Sequence, residues 1–400
     1  MTGLLLLLAA LSADDRSAGR THAPDFSRVD AAINEGIRRG IYPGAVVVIG
    51  TSDRILYAQR YGRFTWSASS ARPRSDSTLW DIASLTKVIG TTGAVLRLVD
   101  RGAMHLDAPV RRYLPAFTGG ARDRVTIRML LNHTSGLRPY LPLFRTATSR
   151  EAAIAQVLAD TLIRPPGDTA VYSDLNAILL GLAIEGATGM PLDSVVQREV
   201  LEPLEMRQTM FRPRPSLWKR TAPSGTFNRA PVAGTVNDRN AVTLGGIAGH
   251  AGLFGTGRDL ARYAQAWLAE GDLGDGRRWV RAETLREFLV ATDRSGARLL
   301  GWDSPDPLRE ETSVFGSLLS SRAYGHTGWT GTEMWVDPAR DLFVVFLTNR
   351  SFDPRARNSL VALRDVRARV SDAAAELIPI QCTLAGAPAR PAREATLGTC

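Results

Sequence analysis

Ser84-Leu85-Thr86-Lys87 places a serine and a lysine three residues apart in a chain that contains almost no other lysine. Of the 49 basic residues in the 400-residue sequence, only Lys87 and Lys219 are lysines, so arginine occupies nearly every position that needs only a positive charge. A desolvated lysine can lose its proton, whereas arginine cannot. Lys87 is therefore predicted to work as a neutral amine, and the function that fits is that of a base for Ser84.

Helical spacing would put the Ser84 and Lys87 side chains on one face of a helix that begins at the serine. A serine hydroxyl is a weak nucleophile that needs an adjacent base, and a lysine can serve if burial and neighbouring charges lower its pKa. The alternative is a surface lysine at a helix start. Spacing alone does not decide, because Ser216 stands three residues before Lys219 in a proline-flanked loop.

The composition is that of a soluble globular protein, with 44% hydrophobic and 22% charged residues and a length sufficient for one large core or two lobes. The formal charge of +9 suggests nucleic-acid binding at first sight. However, the arginines are spread along the whole chain without a basic run or an interleaved aromatic stripe, which disfavours that class of partner.

The two ends of the chain indicate an exported protein. Residues 1–13 resemble a signal peptide without its charged start, because the apolar run Leu4–Leu11 is too short to span a bilayer and small residues follow it. An ordinary apolar N-terminus or a misassigned start is the alternative. Cys382 and Cys400 lie in an Ala/Pro/Arg-rich tail at 379–400, and they fit either a disulfide in an oxidising compartment or two free thiols. We expect a periplasmic or secreted location.

Apolar periodicity predicts helix and strands at both ends of the chain and helices between them. Residues 27–102 and 291–378 are expected to fold together into one lobe of sheet and helices, and 103–290 into a mostly helical lobe. The fold class is therefore α/β, of the α+β type. The predicted helices are Phe26–Ile41, Ser84–Arg101, Arg258–Glu270 and Asn358–Ile378, and the predicted strands are Ala45–Gly50, Arg54–Tyr61, Leu299–Trp302, Thr332–Val336 and Asp341–Leu347.

A second segment that could carry chemistry is Val171-Tyr172-Ser173-Asp174-Leu175-Asn176. A tyrosine hydroxyl beside a lysine can relay a proton to a leaving group. An interior tyrosine whose hydroxyl has found a partner is the commoner, structural alternative.

A third segment is Gly325-His326-Thr327-Gly328-Trp329-Thr330-Gly331-Thr332, which leads into a predicted strand. Glycines along an edge strand let a substrate approach the backbone closely, and the backbone amides can then stabilise an oxyanion. A glycine-rich turn with a solvent-exposed histidine is the alternative.

Taken together and in this order, the three segments resemble those of the penicillin-recognising serine hydrolases, which include class C β-lactamases, D,D-peptidases and related esterases. The resemblance extends over about residues 27–378 and is supported by the stretches 79–84 (LWDIAS), 126–137 (TIRMLLNHTSGL) and 245–257 (GGIAGHAGLFGTG). It implies a β-lactamase/transpeptidase-like fold, in which N- and C-terminal helices flank an antiparallel sheet that is accompanied by a mostly helical domain.

The resemblance also implies a role for each matching residue. Ser84 corresponds to the acylated nucleophile, Lys87 to its base and Tyr172 to a group that assists proton transfer. The supporting positions are Asp174, His326, Thr327 and Gly328, and the oxyanion hole would be formed by the backbone amides of Ser84 and Trp329.

Two positions depart from the family pattern. Asp174 stands where asparagine is usual, and His326 stands where β-lactamases and D,D-peptidases carry lysine. An ionised aspartate only accepts hydrogen bonds, and a neutral histidine binds a carboxylate less well than a lysine does. Both departures disfavour an efficient β-lactamase and suit the esterase-like and cell-wall-fragment amidase branches, whose patterns resemble 234–241 and 249–254. They also predict activity that changes with protonation of His326 between roughly pH 5 and 8.

No sequence pattern indicates a metal or a nucleotide cofactor. His133 and His250 lie in turns that resemble the family's and are predicted to be structural. The sequence thus predicts a cofactor-free serine hydrolase that cleaves a small-molecule or cell-wall-derived ester or amide through a Ser84 acyl-enzyme, as an esterase or a cell-wall peptide or muropeptide hydrolase. A β-lactamase, a D-Ala-D-Ala carboxypeptidase and a catalytically silent penicillin-binding sensor stay open as alternatives, and the oligomeric state is not predicted.

Overall fold

The computed structural model describes residues 24–380, apart from 229, 275, 293 and 306–313. The predicted signal peptide at 1–13 and the pair Cys382 and Cys400 lie outside the described residues, so these expectations stay predictions. Within the described ranges no single helix has the length and apolar composition of a membrane span. The two helical segments Asp174–Thr188 and Leu192–Leu201 pass that test only together, with a bend of 80° between them.

Most of the helices lie in the middle of the chain, and the longer strands lie near its two ends. The strands are β1 (Gly44–Gly50), β2 (Ile55–Gly62), β3 (Trp80–Asp81), β4 (Met210–Phe211), β5 (Gly225–Phe227), β6 (Ala230–Val232), β7 (Leu253–Gly255), β8 (Tyr324–Thr327), β9 (Glu333–Asp337) and β10 (Leu342–Thr348). The α-helices are α1 (Ser27–Arg38), α2 (Gly93–Asp100), α3 (Ile127–Leu131), α4 (Leu143–Thr146), α5 (Arg150–Ala159), α6 (Asp174–Thr188), α7 (Leu192–Val196), α8 (Arg239–Thr243), α9 (Gly257–Leu268), α10 (Ala282–Phe288) and α11 (Ser359–Leu377). A π-helical turn, Lys87–Thr92, opens α2.

The largest sheet is antiparallel, has the strand order β2-β1-β10-β9-β8 and therefore joins strands from both ends of the chain. Its central strands β1 and β10 are buried along their whole length, with Val47 opposite Phe346. Successive side chains of a strand point to opposite faces, so Val47 packs with α1 and α11, whereas Val46 and Val48 join the core that includes α9. This three-layer arrangement confirms the predicted mixed fold with an antiparallel sheet and terminal helices, while the division into two lobes stays a prediction.

One predicted strand, Leu299–Trp302, is wrong. A backbone hydrogen bond of 2.9 Å joins the two ends of this segment, and Gly301 takes a φ of +87° within it, so the chain makes a tight turn. Its apolar side chains are buried in the helical core instead of alternating between the faces of a sheet. After the turn, Asp303 pairs with Gly325 and thereby lies alongside the edge strand β8.

Candidate active site

Ser84 follows a short strand and a strained turn. After β3, Ala83 takes a φ of +47°, and this left-handed conformation costs a residue with a side chain about 1–3 kcal/mol. The buried Asp81 carboxylate accepts the Ala83 N–H at 2.9 Å and the Asn237 N–H at 2.6 Å, which holds the turn in place. Ser84 is thereby fixed at the start of the helical segment that carries Lys87.

Lys87 connects two of the three sequence segments. Its Nζ lies 3.0 Å from Ser84 Oγ, 2.7 Å from Asp174 Oδ1 and 3.1 Å from the His250 carbonyl oxygen. The residue is only 4% exposed. An ammonium group has three N–H donors, and these contacts use all three. The structure thus places the predicted nucleophile Ser84 and the Asp174 carboxylate against the buried amine of Lys87, the predicted base.

The charge of Lys87 differs from the sequence-based expectation. Burial lowers the pKa of the Lys87 amine, but the Asp174 carboxylate and the neighbouring Tyr172 outweigh burial, and the net shift of this pKa is upward. The expectation that burial and neighbouring charge would leave a neutral amine is therefore wrong for the resting site. Lys87 is an ammonium paired with a carboxylate, and it must lose a proton before it can accept one from Ser84.

The Tyr172 ring lies at the centre of the site. Two cations lie near it, with Lys87 Nζ at 5.1 Å and Arg298 Cζ at 5.0 Å from the ring centroid. The ring centroids of His133 and His326 are 4.8 and 5.9 Å away. The second and third sequence segments therefore meet the nucleophile segment at Tyr172, as the resemblance implies.

His133 fixes the segment that carries Tyr172. Its buried Nδ1 accepts hydrogen bonds from the Ser173 N–H at 3.2 Å and from the Asn176 side-chain amide at 2.9 Å. Burial lowers the pKa of His133 well below its usual 6.5, so the ring stays neutral and can accept both bonds. The Ser173 hydroxyl in turn caps the N-terminus of α6. These contacts give His133 the structural role that was predicted for it.

His326 lies on the edge strand β8 with its ring buried. Its Nδ1–H donates to the Thr327 carbonyl at 2.8 Å, and its Nε2 has no hydrogen-bond partner in the described part of the chain. Burial lowers the pKa of His326 from 6.5 to about 4; Asp303 opposes this shift, whereas the Arg298 and Lys87 cations add to it. The histidine is neutral at pH 7 as expected, and this pKa lies below the range of pH 5 to 8 over which the sequence predicts a pH-dependent activity.

The turn between β8 and β9 is attached to the segment that carries the nucleophile. The Thr330 hydroxyl donates to the Asp81 carbonyl at 2.7 Å, and the Thr332 hydroxyl donates to the Ile82 carbonyl at 3.0 Å. Gly328 leaves no room for a side chain, since a Cβ there would lie 2.2 Å from Thr332 Oγ1. This close approach of two backbones brings the third segment to the nucleophile.

Two backbone donors near the nucleophile are unpaired. The N–H groups of Ser84 and Trp329 have no acceptor among the residues that the structure describes. Two such donors close to a nucleophilic hydroxyl can stabilise an oxyanion. The indole of Trp329, by contrast, is 58% exposed and stacks on Arg350, whose Cζ lies 4.7 Å from the ring centroid.

Sequence reasoning missed Arg298, which borders the site beside Tyr172. Its side chain is 27% exposed and forms an ion pair with Asp303. Arg298 stands directly before the turn that was predicted to be a strand, and one arginine in an arginine-rich chain carries no signal by itself. Because His326 is neutral, Arg298 supplies a cation that the third segment does not.

Known proteins are similar in sequence to this chain over most of its length. A family profile described as Beta-lactamase matches residues 29–368. A putative D-alanyl-D-alanine carboxypeptidase from Escherichia coli (strain K12) is 30% identical over 366 residues, which is 83% of each chain. The N-acetylmuramyl-L-alanine amidase of Bacillus subtilis (strain 168) is 31% identical over 362 residues, which is 82% of this chain and 81% of that protein.

Solved structures of lower sequence identity share the fold. EstCE1, a hydrolase with promiscuous acyltransferase activity, superposes with a TM-score of 0.70 at 21% identity, over 86% of this chain and 98% of its own. A penicillin-binding protein homologue from Caulobacter crescentus has a TM-score of 0.70 at 20% identity, over 89% of this chain and 98% of its own.

Proposed function

Because the chain belongs to the β-lactamase family of serine hydrolases, we propose that it cleaves an amide or ester of a cell-wall-derived substrate through an acyl-enzyme on Ser84. The observation that carries this proposal is the 3.0 Å contact between Lys87 Nζ and Ser84 Oγ at a buried amine. A serine hydroxyl becomes an effective nucleophile when such a group can take its proton.

Acylation begins with two proton transfers. Lys87 passes a proton to the Asp174 carboxylate at 2.7 Å, and the resulting amine takes the proton of Ser84 at 3.0 Å while Oγ bonds to the substrate carbonyl carbon. The first transfer converts an ion pair into two neutral groups, and it costs less once a substrate has displaced water, because burial disfavours charged forms. The oxyanion is stabilised by the backbone N–H groups of Ser84 and Trp329.

Expulsion of the leaving group needs a proton. The Tyr172 hydroxyl supplies it, and Lys87, whose Nζ lies 5.1 Å from the tyrosine ring centroid, returns a proton to the phenolate. A water molecule then attacks the acyl-enzyme with the same groups acting in reverse. The acid product leaves and the Ser84 hydroxyl is restored.

The residue types at the site favour a cell-wall peptide or muropeptide. A substrate carboxylate would be bound by Arg298, because a guanidinium can form paired hydrogen bonds with it and His326 is neutral. Asp174 in its ionised form only accepts, which suits a substrate N–H better than a carbonyl. Two relatives that are 30–31% identical bear the names of cell-wall peptide enzymes, which supports the same substrate class. An activated ester would react through the same acyl-enzyme.

Export follows from this substrate class, since cell-wall peptides lie outside the cytoplasm. The signal-peptide features of residues 1–13 agree with it. Sequencing the N-terminus of the protein recovered from the periplasm or the medium should show that these residues have been removed. A protein that retains Met1 and stays in the cytoplasm contradicts export.

Covalent labelling tests the acyl-enzyme. After incubation with a fluorophosphonate or a labelled penicillin, mass spectrometry should find the adduct on Ser84 in the wild type and none in Ser84→Ala. Turnover should then be measured on a p-nitrophenyl ester, a chromogenic cephalosporin, a D-Ala-D-Ala peptide and a muropeptide. We expect the cephalosporin to be the poorest substrate.

The outcomes of this experiment separate the candidate functions. Failure of every probe to modify Ser84 contradicts the proposal. A stable adduct with the labelled penicillin, together with no turnover of any of the four substrates, favours the catalytically silent penicillin-binding sensor instead.

A further inference from the structure

We propose that Arg367, on the C-terminal helix α11, is a positioning residue that orients and polarises the Trp329 N–H, the proposed oxyanion donor of the third segment. The proposal rests on the acyl-enzyme function above. Arg367 does not touch the substrate. It acts through the backbone of the turn between β8 and β9.

Arg367 holds both ends of this turn. Its buried guanidinium donates through Nη2 to the Thr332 carbonyl at 2.7 Å and to the Gly328 carbonyl at 3.1 Å. The Gly328 N–H also donates to the Thr332 carbonyl at 2.7 Å and closes the turn. One side chain from a distant helix therefore fixes the two carbonyls between which Trp329 lies.

The geometry of the peptide bond carries the effect to the oxyanion hole. The carbonyl of Gly328 and the N–H of Trp329 belong to one planar peptide unit, in which the two groups point in opposite directions. Once Arg367 fixes the direction of the carbonyl, the direction of the N–H is fixed as well. A cationic donor on the carbonyl also polarises the peptide and strengthens the N–H as a donor on its other side.

The next peptide is held in the same way. Arg350 donates from Nε to the Trp329 carbonyl at 3.0 Å, and its guanidinium stacks on the indole of the same residue. Both carbonyls that flank Trp329 thus face arginine side chains, while its own N–H has no acceptor among the described residues. The two carbonyls are therefore held by arginines, and the Trp329 N–H is left to donate to an oxyanion.

A buried carboxylate accompanies Arg367. Glu333 is fully buried, and its Oε2 lies 3.1 Å from Arg367 Nε. Burial raises the pKa of Glu333, and the Arg367 cation opposes this shift. Glutamine has nearly the same size and shape as glutamate and is therefore the closest uncharged substitute. The variant Glu333→Gln leaves the two carbonyl contacts of Arg367 in place. It is therefore the reference against which a second substitution, one that removes the guanidinium, can be compared.

The test compares Glu333→Gln with the double variant Glu333→Gln/Arg367→Gln. We expect kcat of the double variant to be about tenfold lower than that of the Glu333→Gln reference. This decrease is smaller than the one caused by removing an oxyanion donor, because the Trp329 N–H is still present and has lost only its fixed orientation. Affinity for a boronic acid, whose tetrahedral adduct on Ser84 places an oxygen at the oxyanion hole, should fall by a similar factor. KM should stay unchanged. A merely structural role would lower thermal stability without this selective loss.

Equal kcat and equal boronate affinity in the two variants overturn the proposal. If the double variant does not fold, Arg367→Lys provides the test, because the single nitrogen of a lysine cannot occupy the positions of both Nε, which faces Glu333, and Nη2, which binds the two carbonyls. That variant should lose part of the same kcat and boronate affinity, and full retention overturns the proposal. If the wild type acylates Ser84 but these variants behave like the wild type, only the role of Arg367 fails. If the wild type acylates nothing, the proposed function fails with it.

Discussion

Two parts of the molecule have the same spacing of serine and lysine in opposite environments. Ser84 and Lys87 lie where β3 leads into a helix, with 3.0 Å between Oγ and Nζ and a lysine that is 4% exposed. Ser216 and Lys219 lie on the 3₁₀-helix Pro215–Arg220, where both are exposed and the Lys219 amine has no partner among the described residues. A motif search alone treats these two pairs alike.

Burial and partners, rather than spacing, distinguish the two pairs. Water solvates Ser216 and Lys219 and competes for every hydrogen bond that they could form. The Lys87 amine is removed from water, and its donors are directed at Ser84, Asp174 and a backbone carbonyl. A proton can therefore move along fixed contacts only at the first pair.

The largest difference in activity between the two serine–lysine pairs is expected when each serine hydroxyl is removed. Ser84→Ala should lower kcat on the order of 10⁶-fold, because the nucleophile is lost. Ser216→Ala should keep the wild-type kcat, since this hydroxyl is exposed and remote from the site chemistry. Ester turnover and the mass of the labelled active-site peptide measure both effects. Equal activities of the two variants would sink the assignment of the nucleophile.

Exchange of each lysine for arginine keeps the charge and removes the transferable proton. Lys87→Arg should lower kcat by about 10²–10⁴-fold, the usual contribution of a general base. Lys219→Arg is the matched control and should behave as the wild type. Circular dichroism should show that both variants fold. Normal turnover by Lys87→Arg would show that Lys87 is not the base.

Arg298, which lies beside Tyr172, should affect the binding of the substrate rather than the rate of the chemical step. Arg298→Gln is expected to raise KM about tenfold for a peptide with a free C-terminal carboxylate, the value of one charge-assisted pair. The same peptide with a C-terminal amide should be unaffected. Arg214→Gln, an exposed arginine next to Ser216, is the control. A loss of equal size for the acid and the amide would rule out carboxylate recognition by Arg298.

Asp174 is the partner that most distinguishes Lys87 from Lys219. Asp174→Asn should lower the pKa of Lys87, because Asp174 raises it. Without the carboxylate, however, the amine must lose its proton to solvent before it can act as a base, so the acid limb of kcat/KM should move to higher pH. The maximal rate should also fall, since the carboxylate that accepts the lysine proton is gone. A pH–rate series measures the shift, and an acid limb that stays in place or moves to lower pH contradicts it.

The smallest effect concerns His326. Its pKa of about 4 predicts no inflection from this group between roughly pH 5 and 8 and a decline near pH 4, where a positive charge would face Lys87 and Arg298. The unfolded state binds this proton first, so the stability contribution present above pH 6.5 is lost as the pH falls towards 4. Melting temperatures of the wild type and His326→Asn across this range measure the effect, and parallel curves contradict it.

Much of the fold could be predicted from local sequence. The runs that form β1 and β10 are apolar because both of their faces are covered, and the terminal helices show the period of one buried face. The strand predicted at Leu299–Trp302 was wrong, because a short apolar run is compatible with a buried turn as well as with a strand. Nothing local marks the tertiary contacts of that segment.

The residues of the candidate site also fall into two groups, those that local sequence could predict and those that it could not. Ser84, Tyr172 and His326 were found because each lies in a short motif with its own chemistry. Arg298 and Arg367 were not, because their importance comes from what lies opposite them in space. Arg367, for example, is 39 residues away along the chain from the Gly328 carbonyl that it binds.

The sequence alone was enough to predict the class of fold and to propose which residues carry the chemistry, because residue type and short-range spacing are properties of the chain alone. Only the tertiary structure decided the protonation of those residues. Lys87 is an ammonium and His326 a neutral ring because burial and distant charged groups set their pKa values, and folding brings those groups together. The same reason distinguishes Ser84-Leu85-Thr86-Lys87 from Ser216-Leu217-Trp218-Lys219. Both segments have the same serine-to-lysine spacing, but folding buries only Lys87 and brings charged and polar partners to it.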